Sequence, residues 1–228
     1  MDDFITNILN TLAHNIDYIT GFMFLIVGNS LVKGGVIIAV LWYLWFNEKS
    51  KNSQSSEKTI ITLFSCIVAV AVGRSLNNFL PYRARPILNP EFDFPYQISE
   101  FSWLNTMSSF PSDHAILFFS LATGIFIISK KWGTFSLAYV MFIICLPRIY
   151  LGFHYFTDIL AGAAIGILIT LTIYNLKIIK ILSKRLIILS NKFPGLFYAL
   201  LFILSYQIAT LFDDSRNLIQ SIIHFILR

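Results

Sequence analysis

The sequence predicts an all-α integral membrane protein. It reads as one six-helix transmembrane bundle at residues 30–212, with an N-terminal interfacial helix region at 1–29 and a C-terminal amphipathic tail at 213–228. Three observations predict this. The 228 residues are 56% hydrophobic and only 13% charged, where a soluble domain carries about 25% charged residues. The mean hydropathy is +0.71. Apolar runs recur along the chain, each close to the roughly 20 residues that cross a hydrocarbon core as a helix. The whole chain, 1–228, reads as a single domain.

In order along the chain, Ile5, Ile8, Leu9, Leu12, Ile16 and Ile19 fall at spacings of three and four. This is one face of a helix. Asn7, Asn10, His14 and Asp17 lie elsewhere, so residues 4–20 are expected to lie at the membrane interface or, alternatively, to pack against the bundle. The start, Met1-Asp2-Asp3-Phe4, lacks a cleavage-site pattern, and no cleavable signal peptide is expected. The first span covers about 30–46, after a run broken by Asn29, Lys33 and Gly34-Gly35. A polar loop, 47–58, leads to a second span at 59–80, which ends at Pro81. Residues 81–110 form a long connection of the kind that often carries function. Spans three and four, 112–129 and 133–152, are separated by Lys130-Lys131-Trp132. The fifth span is 156–176; a basic connection containing Lys177, Lys180, Lys184, Arg185 and Lys192 precedes the sixth at 194–212. In the tail, Leu218, Ile222 and Phe225 stand at helical spacing.

The net charge of +5 arises between apolar segments, where basic residues set topology rather than bind nucleic acid. The 47–58 loop, the 130–132 turn and the 177–192 segment hold ten of the 17 basic residues. The positive-inside rule puts these three in the cytoplasm. The end of span two, the start of span three and the junction of spans four and five then share the opposite face. Cys66 and Cys145 sit inside apolar runs and read as small buried hydrophobes.

That shared face carries the chemistry. Charged residues within a span cost roughly 2.5–3.5 kcal/mol each, so a chain that keeps several is using them. Pro111-Ser112-Asp113-His114 opens the third span. Ser112 suits an N-cap, and free N–H groups at a helix start suit an anion. His114 at the same mouth can donate a proton to a leaving oxygen. His154 and Asp158, four residues apart, would share a helix face. The carboxylate would fix the imidazole tautomer and leave the other nitrogen free to attack. Arg148 and Arg85 can grip a phosphate through paired donors. Arg83 is either an interfacial anchor or a further phosphate contact. Arg74, about two turns before Pro81, lines the site entrance or pairs with an acidic residue. Metal binding by two histidines and an aspartate is disfavoured because arginines accompany them and no HExxH or CxxC pattern occurs.

These residues resemble the type-2 phosphatidic acid phosphatase superfamily of membrane lipid phosphatases over about residues 60–175. The matches are Arg85-Pro86, Pro111-Ser112-Asp113-His114, and Arg148 followed by His154 and Asp158. The resemblance implies that His154 becomes a phosphohistidine with Asp158 orienting it, and that His114 protonates the leaving group. It also implies that Arg85, Arg148, Ser112 and N–H groups near Asp113 cradle the phosphate, with no metal or cofactor. Three positions depart from the family pattern. Asn78 stands where the family has Lys, with Arg83 the candidate substitute; Pro147 replaces a Ser and Asp113 a Gly. The Pro-Ser-Asp-His form is similar to that of bacterial undecaprenyl-diphosphate phosphatases. The expected activity is therefore removal of a terminal phosphate from a lipid phosphate or diphosphate, at the outer face of a bacterial cytoplasmic membrane. The alternatives are a phosphotransferase to lipid A or another lipid, a phosphatidic acid, phosphatidylglycerophosphate or lipid A phosphatase, and a lipid-binding protein with a degenerate site.

Overall fold

A computed structural model describes residues 1–47, 54–96 and 107–226 of the chain. Lys49 and Lys51, in the 47–58 loop used above for orientation, lie outside the described residues. Among the described residues every regular element is helical: α1 Asp2–Asn15, α2 Asp17–Gly28, α3 Leu31–Phe46, α4 Gln54–Phe79, α5 Asp113–Ile128, α6 Lys130–Tyr150, α7 Phe156–Asn175, α8 Lys177–Lys192, α9 Pro194–Ala209 and α10 Asp213–Ile226.

The core is built around α5. Ten of its 16 residues are buried, and α3, α4, α6, α7 and α9 enclose it. Phe118, Leu117 and Leu121 meet Ile37 and Leu41 of α3, Leu63 of α4, Ile144 of α6 and Ile208 of α9 in one cluster. The approach of α7 is close. A Cβ on Gly166 would stand 2.2 Å from the Ile116 carbonyl oxygen, and one on Gly162 would stand 2.7 Å from that of Ser112. Gly166→Ala is therefore expected to cost about 1–3 kcal/mol, the usual range for overpacking. Thermal unfolding in detergent checks this, and an unchanged midpoint would contradict the close packing.

Length and composition alone count three to five of the six expected spans. Among the described residues three helices, α4, α6 and α7, are long and apolar enough to cross a membrane, and up to five spans result if the bent pairs α2–α3 (69°) and α9–α10 (91°) each count once. Helix α5 falls short because its 16 residues rise only about 24 Å, against a hydrocarbon core of roughly 30 Å. Protein rather than lipid surrounds it, so the limit on spanning length does not apply.

Other boundaries also differ. The N-terminal helix breaks at Ile16, and α1 packs on the ends of α6 and α7 rather than standing apart. Residues 177–192 form a helix, α8, and not an irregular connection. Its lysines and exposed Ile178, Ile181 and Ile188 suit an interface. Helix α6 is one element with a π-helical turn at Val140–Cys145. That widened turn directly precedes Pro147, which lacks the N–H a regular turn would need. Between α9 and α10, Leu211 and Phe212 adopt left-handed φ of 56° and 59°. Such backbone in non-glycine residues costs roughly 1–3 kcal/mol each. Here it turns the chain back over the site.

Candidate active site

Four helix ends converge at one face: the end of α4, the start of α5, the end of α6 and the start of α7. The α6–α7 turn is fixed by its own backbone, since Phe153 and His154 both donate their N–H to the Arg148 carbonyl, at 2.9 and 3.3 Å. Gly152 makes this possible. Its φ is +67°, and a Cβ there would stand 2.5 Å from the Phe94 ring. A second apolar cluster of Ala13, Ile87, Tyr150, Leu151 and Phe153 holds the turn under α1, α2 and the 81–96 segment.

His154 is 4% exposed. Its Nδ1 lies 2.8 Å from the Ser109 carbonyl oxygen. A carbonyl only accepts, so Nδ1 carries the proton and Nε2 keeps its lone pair. Nε2 lies 3.4 Å from Arg85 Nη1. Burial first, and then the Arg85 guanidinium, hold the His154 pKa below the ordinary histidine value, with Asp158 acting in the opposite sense. Burial and Arg85 both favour the neutral ring.

Asp158 does not act as a simple i,i+4 partner on a helix face. His154 precedes α7, and Asp158 sits in the first turn, 3.7 Å from Nδ1. Its fully buried carboxylate is engaged on all sides. Oδ2 accepts Ser109 Oγ–H at 2.5 Å and the Tyr155 N–H at 2.8 Å, and Oδ1 accepts Arg83 Nη1 at 2.6 Å. Asp158 thus fixes Ser109, whose carbonyl fixes His154.

Arg83 takes a different place from the phosphate contact expected of it. It sits behind Asp158, donating Nη2 to Asp2 at 2.7 Å and lying 4.1 Å above the Tyr155 ring. Asp2 also accepts from Thr157, which ties the start of α1 to the start of α7. Burial works to raise the Asp2 pKa, but the hydrogen bonds from Thr157 and Arg83 outweigh it and hold the carboxyl below the usual range.

At the start of α5, Ser112 caps the helix by accepting the Ala115 N–H at 3.4 Å and is fully buried. Asp113 turns towards its neighbour. Its Oδ1 accepts both the backbone N–H and Nδ1 of His114, at 2.7 and 2.8 Å, and its Oδ2 lies 3.5 Å from Arg74 Nη2. Of the two alternatives open to it, Arg74 pairs with an acidic residue, and the same side chain borders the cavity described below.

One cavity of about 350 Å³ gathers His154, His114, Arg85, Arg148, Asp113 and Arg74. Arg148 is 3% exposed and braced by its Nη1 on the Ile144 carbonyl at 2.6 Å. Arg83, Ser112 and Asp158 stand behind this wall. The opposite wall comes from the tail corner, with Leu211, Asp213, Arg216 and Asn217. None of these was singled out from sequence. Lys33 is buried and lies 3.8 Å from Asp213. Its only signal was a lysine inside an apolar run. Among the described residues no group of three His, Cys, Asp or Glu could hold a metal ion. The arrangement offers an anion two buried guanidiniums, a neutral imidazole nitrogen and a second imidazole backed by a carboxylate.

Comparison with known proteins adds the following. The profile described as the PAP2 superfamily matches residues 58–180. The bacitracin transport permease protein BcrC of Bacillus licheniformis is 31% identical over 134 residues, 57% of this chain and 59% of that protein. The lipid A 4'-phosphatase of Porphyromonas gingivalis is 27% identical over 143 residues, 60% and 58% of the two chains. The putative undecaprenyl-diphosphatase YbjG of Escherichia coli strain K12 is 22% identical over 144 residues, 62% and 66%. The chain thus matches about three-fifths of the length of these relatives. No solved structure matches it.

Proposed function

The chain belongs to the PAP2 superfamily, and on that premise we propose that it is a multi-pass membrane lipid phosphatase that removes the terminal phosphate of a polyprenyl diphosphate through a phosphohistidine. The observation that carries the reading is the setting of the His154 ring. Its Nδ1–H is held by a backbone carbonyl, and its Nε2 lone pair stands beside Arg85 at the cavity that also holds Arg148.

In the reaction, Nε2 of His154 attacks the terminal phosphorus. The bond from phosphorus to the leaving oxygen breaks, and His114, entering as the imidazolium with Nδ1–H on Asp113, delivers its Nε2 proton to that oxygen. Arg85 and Arg148 hold the non-bridging oxygens, where charge accumulates. Water then attacks the phosphohistidine with His114 taking its proton, and inorganic phosphate leaves. Ser112 and Arg83 act from behind the wall, one by setting the start of α5 and the other by holding Asp158. The carboxylate of Asp113 is turned onto His114 and Arg74, which limits its repulsion of the substrate. The chemistry supplies its electrostatics from arginine and calls for no metal.

The far ends of α5, α6, α7 and α8 carry Lys130, Lys131 and Lys177. By the positive-inside rule those ends are cytoplasmic, and the site faces the exterior or periplasm. If α5 is counted with the three long helices and the two bent pairs, the bundle has six membrane helices.

The similarity to a lipid A 4'-phosphatase supports a second reading, a monophosphate ester on a saccharide lipid, with phosphate passing to water or to another lipid. Purified protein in detergent should release phosphate from undecaprenyl diphosphate faster than from phosphatidic acid, phosphatidylglycerophosphate or lipid A. Faster release from lipid A would favour the second reading, and release from none would sink both.

A further inference from the structure

We propose that Arg74 and Arg216, with Asn217, form a second anion subsite in the same cavity, holding the phosphate that stays on the lipid and so selecting diphosphate over monophosphate esters. This rests on the phosphatase reading above.

The cavity has more positive charge than one phosphate needs. Its walls carry Arg74, Arg85, Arg148 and Arg216 against the carboxylates of Asp113 and Asp213. These four arginines against two carboxylates leave the walls a surplus of two positive charges, with Lys33 behind Asp213 and Arg83 behind Asp158. Asp213 gathers the cations of the second wall, with Arg216 Nη2 at 2.8 Å and Arg74 Nη2 at 3.7 Å from Oδ1, and Lys33 Nζ at 3.8 Å from Oδ2. Cations held together in a membrane protein in excess of their counter-charges are costly. An anion supplied by the substrate removes that cost.

The position of this wall fits the leaving group. His114 gives its proton to the leaving oxygen, so the leaving group lies beside it. Arg74 is joined to His114 through a single carboxylate, that of Asp113. When the substrate is a diphosphate, the leaving group is a phosphate monoester whose negative charge grows as the bond breaks. When the substrate is a monophosphate, the leaving group is an alcohol, and the proton from His114 suffices. Arginines on this side therefore help one substrate and add little to the other.

Arg216→Gln tests this. The side chain is 37% exposed and pairs with Asp213 on its own helical turn, so the fold should tolerate the change. The measurement is kcat/KM for farnesyl diphosphate and farnesyl monophosphate in detergent. The diphosphate-to-monophosphate ratio should fall roughly 10- to 100-fold, the usual worth of one charged hydrogen bond. Arg216→Lys, which keeps the charge, should recover part of the ratio. Inorganic pyrophosphate should inhibit the unaltered protein more strongly than inorganic phosphate, and Arg216→Gln should narrow that preference. Equal losses on both substrates, or an unchanged ratio and inhibitor preference, overturn the subsite. Activity surviving in His154→Ala overturns the phosphatase mechanism instead, so the two failures are distinguishable.

Discussion

Replacing His154 with alanine is expected to abolish phosphate release from every lipid substrate, with a loss on the order of 10⁴-fold or more if the proposed nucleophile is removed. The size of the effect follows from the site's economy. The Nε2 lone pair of His154 is the group aimed at the cavity with its proton fixed on the far side of the ring. Arginine can stabilise the charge of a transferring phosphoryl group but cannot accept it. His114 is engaged at Nδ1 by the Asp113 carboxylate and is given the proton transfer. The variant should still fold, because the turn around residue 154 is held by backbone bonds to Arg148 and by the apolar cluster with Phe153 and Leu151. Rapid-quench trapping of an acid-labile phosphoprotein from labelled substrate should succeed with the unaltered chain and fail with the variant. A variant that keeps full phosphate release would refute the mechanism.

Asp158→Asn is expected to lower kcat by about 10²- to 10³-fold, less than the roughly 10⁴-fold seen when an aspartate alone sets a histidine tautomer. The difference lies in Ser109. Its carbonyl, 2.8 Å from Nδ1, already dictates the tautomer, while Asp158 is 3.7 Å away. What the variant loses is the charge that draws Ser109 Oγ–H, the Tyr155 N–H and Arg83 into place. Stability should fall as well, by about 1 kcal/mol for each charged hydrogen bond that becomes neutral. Thermal unfolding in detergent and the kcat/KM split separate the two effects. A variant as active as the unaltered protein would show that Asp158 does not position His154.

The difference between Asp158 as read from spacing and as found shows where sequence reasoning ends. A spacing of four implied one helix face. The chain instead leaves the helix at Leu151, turns at Gly152 and re-enters at Phe156, so the carboxylate caps the helix start and reaches the imidazole through a serine. Ser109 carried no signal, because the group that matters is its backbone carbonyl. Arg83 was legible as a cation at the right face, but its direction depends on Asp2, 81 residues away.

The sequence by itself determined that the chain is helical and apolar enough for a membrane, and which charged residues stand out within it. Hydropathy is additive along a chain, and polar groups are too costly in hydrocarbon to be placed without use. It also determined that Arg85, His114, Arg148 and His154 would meet, because antiparallel helices joined by short turns bring alternate ends to one face. Tertiary structure alone decided the rest. It enclosed α5 so that 16 residues could serve where a lipid-facing span needs more. It also folded the tail at Leu211 and Phe212 so that Asp213 and Arg216 close the cavity. Both outcomes depend on contacts between residues far apart in sequence, which no local pattern encodes.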